Sequence, residues 1–237
     1  MAVDPTKIYE LQQEIGKGAF GMVYKAKHRK SKEVVAIKTI PVAGRKDAEA
    51  VMKEVSCLME CKSDYIIKMM DTPYLKAENG GYAKTYSCWV VLEYCAGGDL
   101  EKYIKRCDEK VLNKIMHDTL KGLQYLHSKA LIHRDIKPHN ILHDSGSGTF
   151  KLGDLGNTKN IDVSTAKTAI GTATYQAPEI EDGKYTNKVD IYSWGVTIKK
   201  LAAKQTSTVK AITGNCCQFF PEKRPSASQL LVALFQK

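Results

Sequence analysis

The period of the apolar positions changes along this chain of 237 residues. Between residues 9 and 40 the pattern is that of strands: Val23 and Tyr24 follow a glycine-rich turn, and VVAIKTI (34–40) is a β-branched run suited to a pleated surface. From Ala48 to Met59 the period becomes helical, with Val51, Val55, Leu58 and Met59 recurring on one face. CWVVLEY (88–94) returns to strand and is stopped by Gly97-Gly98. Beyond it, LNKIMHDTLKGLQYLHS (112–128) carries Leu112, Ile115, Met116, Leu120, Leu123 and Leu126 on one stripe, which predicts a core-facing helix. A strand-rich first third and a helix-rich remainder predict an α+β chain of two lobes, 1–95 and 96–237. Their hinge falls near 93–98, and a small-ligand cleft is expected where they join.

Composition adds little that is unusual, except a formal charge of +10. Such a balance admits nucleic-acid or anionic-membrane binding. The tightest basic run, Lys27-His28-Arg29-Lys30 with Lys32, falls on a predicted strand-to-strand turn. With no nucleic-acid motif beside it, it reads as a solvated hairpin tip. The opening MAVDPTKIYE has no apolar leader, and no window approaches eighteen uncharged apolar residues, so neither export nor a membrane segment is expected. The seven cysteines are scattered and form no paired CxxC. Reduced thiols in the cytoplasm and/or nucleus are the expectation.

Three segments bear on chemistry. Gly16-Lys17-Gly18-Ala19-Phe20-Gly21 is followed by MVYKAKH, which reads as a strand and not as the helix that a dinucleotide-binding turn would need. Two strands flanking such a turn make a flap whose backbone can approach phosphates. A lysine ending the next strand, Lys38, then requires anionic partners. In His133-Arg134-Asp135-Ile136-Lys137-Pro138-His139-Asn140, Asp135 can accept a proton from an attacking hydroxyl. Lys137 can neutralise a moving phosphoryl group, and Asn140 can hold a magnesium ion. Nineteen residues on, Asp154-Leu155-Gly156 supplies a hard oxygen donor. Ala177-Pro178-Glu179, Asp190 in VDIYSWG and Arg224 in PEKRPS complete the series.

In order and spacing these segments resemble the protein-kinase superfamily over nearly the whole chain. The resemblance implies a bilobal fold, ATP and Mg2+ as cofactors, and transfer of the γ-phosphoryl to a serine or threonine of a protein substrate. It implies that Lys38 holds the α/β phosphates and pairs with a helix glutamate. Glu54 fits that role better than Glu49 or Glu60. Val23, Ala36 and Leu142 would sandwich adenine behind Leu92, with backbone bonds from Glu93 and Cys95, while Asp99 reaches the ribose. Leu58, Met69, His133, Leu155 and Asp190 would form an internal spine. Thr168, with Thr165 and Ser164 as fallbacks, is the implied phosphorylation site, set by an upstream or trans-autophosphorylating kinase and received by Arg134 and Lys159. Lys137 and the Gly171-Thr172 pair indicate serine/threonine type, and EYCAGGDL leans towards Ste20-like or NIMA-related members. His139 and Lys200 stand where arginine-directed relatives carry acids, so a strong preference for basic substrates is not expected.

Two departures stand out. Between the helix after Asp190 and the one before Arg224, KKLAAKQTSTVKAITGNCCQFFPEKRP leaves little more than a turn where the family has a long loop and an extra helix. TPYLKAENGGYAKTYS, between the expected fourth and fifth strands, looks long and glycine-tipped. The trimmed second lobe leaves one alternative open, a kinase-shaped scaffold that binds nucleotide or partners without turnover.

Overall fold

A computed structural model describes residues 4–18, 21–78, 85–160, 172–183 and 185–236. The chain divides into two compact units, Met1–Lys62 with Ile67–Cys95, and Ser63–Ile66 with Ala96–Lys237.

The first unit is an antiparallel sheet ordered β1 (Tyr9–Gly18), β2 (Gly21–His28), β3 (Val34–Val42), β5 (Thr85–Glu93) and β4 (Tyr74–Glu78). Its apolar face gathers Tyr9, Ala26, Val35, Ile37, Trp89 and Val91, with Ile8, Leu11 and Tyr74 against them. At the sheet margin the Tyr9 and Tyr74 hydroxyls both donate to Asp71 Oδ2. Burial pushes the Tyr74 hydroxyl up to about 12, helped by that carboxylate. The basic run sits on the β2–β3 turn, as a hairpin tip. The fourth strand departs from expectation: TPYLKAENGGYAKTYS itself contains it. Tyr74–Glu78 pairs with Thr85–Glu93, so most of this stretch is a hairpin. Around Ile66 and Met69 there are only isolated bridges. Helix α1 (Arg45–Glu60) turns Val51, Glu54, Val55 and Leu58 inward. Met59 does not share that face; it is 55% exposed, as is Met52 one heptad earlier at 58%.

The second unit is built on α2 (Glu109–Ser128), capped by Asp108, whose carboxylate accepts the Val111 N–H. All six residues of its predicted stripe are buried. On its other flank Asp118, fully buried, accepts from Lys114, His117 and the Phe150 N–H. This ties α2 to β8 (Thr149–Leu152), which pairs with β7 (Ile141–Asp144). A second two-stranded pair joins β6 (Leu131–Ile132) to β9 (Lys159–Asn160). Helices α3 (Lys188–Leu201), α4 (Ser207–Cys216) and α5 (Ala227–Phe235) complete it. Only residues 202–206 separate α3 from α4, the turn-length connection anticipated between Asp190 and Arg224. The two helices touch closely: a Cβ on Gly195 would lie 2.6 Å from that of Cys216. Among the described residues no helix is long and apolar enough to cross a membrane.

Candidate active site

In the first unit Lys38 lies in β3, opposite Val23 of β2 and Val90 of β5. It is 5% exposed, a position an ammonium tolerates only with a carboxylate beside it. Glu54, on the inward face of α1, supplies it: Lys38 Nζ donates to Glu54 Oε1 at 2.6 Å. Glu49 instead faces outward to Arg45, and Glu60 is exposed. Gly16 and Gly18 lie in β1, and Gly21 opens β2. At Gly21 a side chain is impossible, since its Cβ would fall 2.0 Å from the Thr39 carbonyl oxygen. Val23 is half-buried, and Ala36 is buried opposite Leu92. The Glu93 N–H donates to Lys68 O, and its carboxylate accepts the Lys68 N–H. That N–H is therefore engaged within the unit. Cys95 is buried.

In the second unit the chain leaves β6 at Ile132 and forms the segment 133–140 before entering β7. A fully buried carboxylate fixes this segment. Asp190, at the start of α3, accepts the His133 N–H on Oδ2 (2.9 Å) and the Arg134 N–H on Oδ1 (2.8 Å), while His127 Nε2 donates to Oδ2 at 2.9 Å. Burial alone would push the Asp190 carboxyl up. The His127 hydrogen bond, the His127 and His133 rings and the Arg134 N–H outweigh it, holding the group below the usual carboxylate range. Arg134 takes φ +69°, a left-handed conformation that a non-glycine residue holds only when its surroundings impose it. His133 links the next step: its Nε2 donates to Gly153 O, and its Nδ1 accepts the Asp135 N–H.

Asp135 is the focus of the segment. Its Oδ2 accepts from Asn140 Nδ2 and from Lys137 Nζ, both at 2.9 Å, and Lys137 also donates to Thr172 Oγ1 at 3.0 Å. Asn140 Nδ2 further donates to the Asp135 carbonyl, leaving Asn140 Oδ1 outside every hydrogen bond among the described residues. The Gly153 N–H donates to Asn140 O at 2.8 Å, which sets the backbone just before Asp154 beside that of Asn140. Asp154 has φ +53° and precedes the turn Leu155–Asn157. Asp99 bridges Leu142 and accepts the Glu101 N–H.

Arg134 Nε donates to Asn157 O and its NH1 group to the Tyr185 hydroxyl. Lys159, in β9, is buried beside Ile132's strand. Ser164, Thr165, Thr168 and Gly171 lie outside the described residues, so a phosphate position for these two cations rests on sequence alone. Of the proposed spine residues, Leu58 is buried in the first unit, and His133, Leu155 and Asp190 are buried in the second. Met69 is half-buried and bridges Leu92. Glu179 and Arg224 are joined by two parallel hydrogen bonds of 2.5 and 2.9 Å, and Arg224 also donates to Gln218, Phe219 and Lys188 carbonyls.

Sequence reasoning missed several participants. His127 and Tyr185 hold Asp190 and Arg134 from 63 and 51 residues away, where no local pattern signals them. Glu101 stands against His139, 2.9 Å from its Nδ1. The Lys200 ammonium lies 4.3 Å from the centre of the Tyr175 ring. Burial pushes the Tyr175 hydroxyl above its ordinary range; Glu101 adds to that and Lys137 opposes it, which places Tyr175 among these charges.

The protein kinase domain family matches residues 9–210. The serine/threonine-protein kinase cst-1 of Caenorhabditis elegans is 38% identical over 205 residues, covering 84% of this chain and 39% of that protein. Hippo, a serine/threonine-protein kinase of Drosophila melanogaster, is 38% identical over 206 residues, 84% of this chain and 29% of its own. The serine/threonine-protein kinase 4 homolog B of Dictyostelium discoideum is 37% identical over 207 residues, covering 84% and 18%. These relatives are of the Ste20 family, one of the two leanings drawn from the sequence. The chain spans well under half the length of the curated relatives it matches.

Proposed function

This chain belongs to the protein kinase domain family, and from that premise we propose that it transfers the γ-phosphoryl group of ATP to serine or threonine hydroxyls of proteins. The observation that carries the reading is the arrangement around Asp135. One carboxylate oxygen is tethered by Asn140 and Lys137, which leaves the other to face an incoming hydroxyl. As the hydroxyl oxygen bonds to the γ-phosphorus, its proton passes to Asp135, the bridging β–γ P–O bond breaks and ADP leaves. Lys137, already held by Asp135 and Thr172, would sit beside the transferring phosphoryl and offset its charge. In this reading Lys38, fixed by Glu54, holds the α/β phosphates, and Gly16, Gly18 and Gly21 form the flap. Val23, Ala36, Leu142, Glu93, Cys95 and Asp99 form the nucleoside contacts.

The donor set suits magnesium. Among the described residues no three His, Cys, Asp or Glu side chains cluster as an all-protein metal site. Magnesium is ordinarily held by one or two protein oxygens together with substrate phosphates, which is what the Asn140 amide oxygen and the Asp154 carboxylate offer. When bound, the ion would neutralise phosphate charge; the protein's part is to aim those two oxygens. Phosphorylation at Thr168 by an upstream kinase or a second copy, received by Arg134 and Lys159, belongs to the same proposal. So does a reducing cytoplasmic and/or nuclear setting; the thiols of Cys88 and Cys216, which burial pushes up to about 11 and about 12, are inert in any setting.

The test is incubation with Mg-ATP and a mixed peptide library carrying serine, threonine or tyrosine acceptors, read by mass spectrometry. Phosphate on serine and threonine, abolished by Asp135→Asn, is the expected result. ATP binding with no phosphopeptide from the wild-type chain would favour the scaffold reading instead.

A further inference from the structure

Two segments of the second unit are stitched together beside the Asp135 cluster. The Lys105 N–H donates to Lys200 O, the Cys107 N–H to Leu201 O, and the Ala203 N–H to Cys107 O. This lays residues 105–107 along the end of α3 and the 202–206 connection. Four cations come with them: Lys105, Arg106 and Lys204 are exposed, and Lys200 is half-buried. None of the four makes a salt bridge among the described residues, unlike the buried Lys38 and Arg224. Acids are few here. Glu101 faces His139, and Asp108 caps α2.

The face continues to the reacting groups. Lys200 lies over Tyr175, whose short turn Ala173–Tyr175 follows Thr172, and Thr172 accepts from Lys137. A cation seated on an aromatic ring is restrained, so its remaining donors point in a limited range of directions. A restrained cation continuous with exposed ones, left without carboxylates of its own, complements an acidic polypeptide. A nucleic acid would also be attracted by charge, but Tyr175 offers no platform for stacking a base, being buried and already covered by Lys200.

We infer that the face formed by Lys105, Arg106, Lys200 and Lys204 selects glutamate and aspartate side chains flanking the acceptor hydroxyl of the protein substrate. This rests on the phosphotransfer reading and deepens it, from no strong preference for basic substrates to a built preference for acidic ones.

The experiment measures kcat/KM with Mg-ATP for three peptides that share one serine acceptor and carry glutamate, alanine or arginine on both sides. Exposed charge pairs are individually weak, so the four together are expected to favour the glutamate over the arginine peptide about tenfold, through KM. Lys105→Glu with Arg106→Glu, and separately Lys200→Gln and Lys200→Glu, should shrink or reverse that ratio. Equal turnover of all three peptides by the wild-type chain, or a ratio the variants do not move, overturns the inference and leaves the kinase reading standing. No phosphorylation of any peptide removes both. If a variant loses turnover on the alanine peptide, binding of a fluorescent glutamate peptide decides; affinity equal to wild type overturns the assignment. Tighter binding of an oligonucleotide of equal charge than of that peptide overturns it in favour of nucleic acid.

Discussion

Within the second unit, two charged regions are handled in opposite ways. Around Asp190 every charge is buried and answered: two N–H groups and the His127 ring converge on one carboxylate. Along residues 105–106 and 200–204 the cations stay at the surface without carboxylate partners among the described residues. A buried, fully bonded charge fixes backbone, because each lost partner leaves an unmet polar group. An exposed, unanswered charge contributes little to folding and remains available to something outside the chain. The Asp190 region therefore sets the shape of segment 133–140, while the basic face is open to a ligand.

This contrast can be broken in order of effect. Asp135→Asn should lower the transfer rate by roughly a hundred- to ten-thousandfold while the urea midpoint stays near wild type, because the carboxamide keeps the Lys137 and Asn140 neighbourhood filled. Asp190→Ala should cost about 3–5 kcal/mol in denaturant unfolding, since it strands the His133 and Arg134 N–H groups and releases a left-handed backbone. A loss below about 1 kcal/mol would mean that Asp190 is not what holds the segment. The same carboxylate sets a pH dependence. Its folded pKa is depressed, so its stabilisation is complete above the ordinary carboxylate range and is lost as pH falls below about 4, through the folded value. Unfolding free energy followed from neutral to acid pH should fall more steeply in wild type than in Asp190→Asn. At the other extreme, Lys204→Ala should leave the melting temperature and the urea midpoint unchanged to within about 0.5 kcal/mol. A larger loss would show that the basic face also carries folding stability.

Much of this was readable from residue order. Period and β-branching gave the strands around Lys38 and the α2 stripe, since both are local patterns set by which face is buried. The short motifs pointed to Asp135, Lys137 and Asn140, whose spacing within one loop is itself the geometry, and to Asp154 just past the β7–β8 pair. What escaped was non-local. Of the three helix glutamates open to Lys38, Glu54 is the one the sequence favours and the one that packing of α1 brings to it, but the supports of the 133–140 segment, His127 and Tyr185, carried no signal. Met59 fits the helical period but lies on the outer face, because one position of rotation separates it from buried Leu58. Strand β4 was hidden because its short polar run, YLKAE, has one edge of the sheet and little apolar alternation. The Lys105–Lys200 adjacency depends on backbone bonds across 95 residues, for which neither segment carries a signal.

The central claim is that Asp135 accepts the proton of a protein hydroxyl as phosphate moves. It is tested most directly by single-turnover transfer from γ-labelled Mg-ATP to a saturating serine peptide, for wild type and Asp135→Asn, with nucleotide affinity measured alongside. The account predicts unchanged affinity for ATP and a transfer rate at least a hundredfold lower in the variant. Equal transfer rates in the two proteins would contradict it.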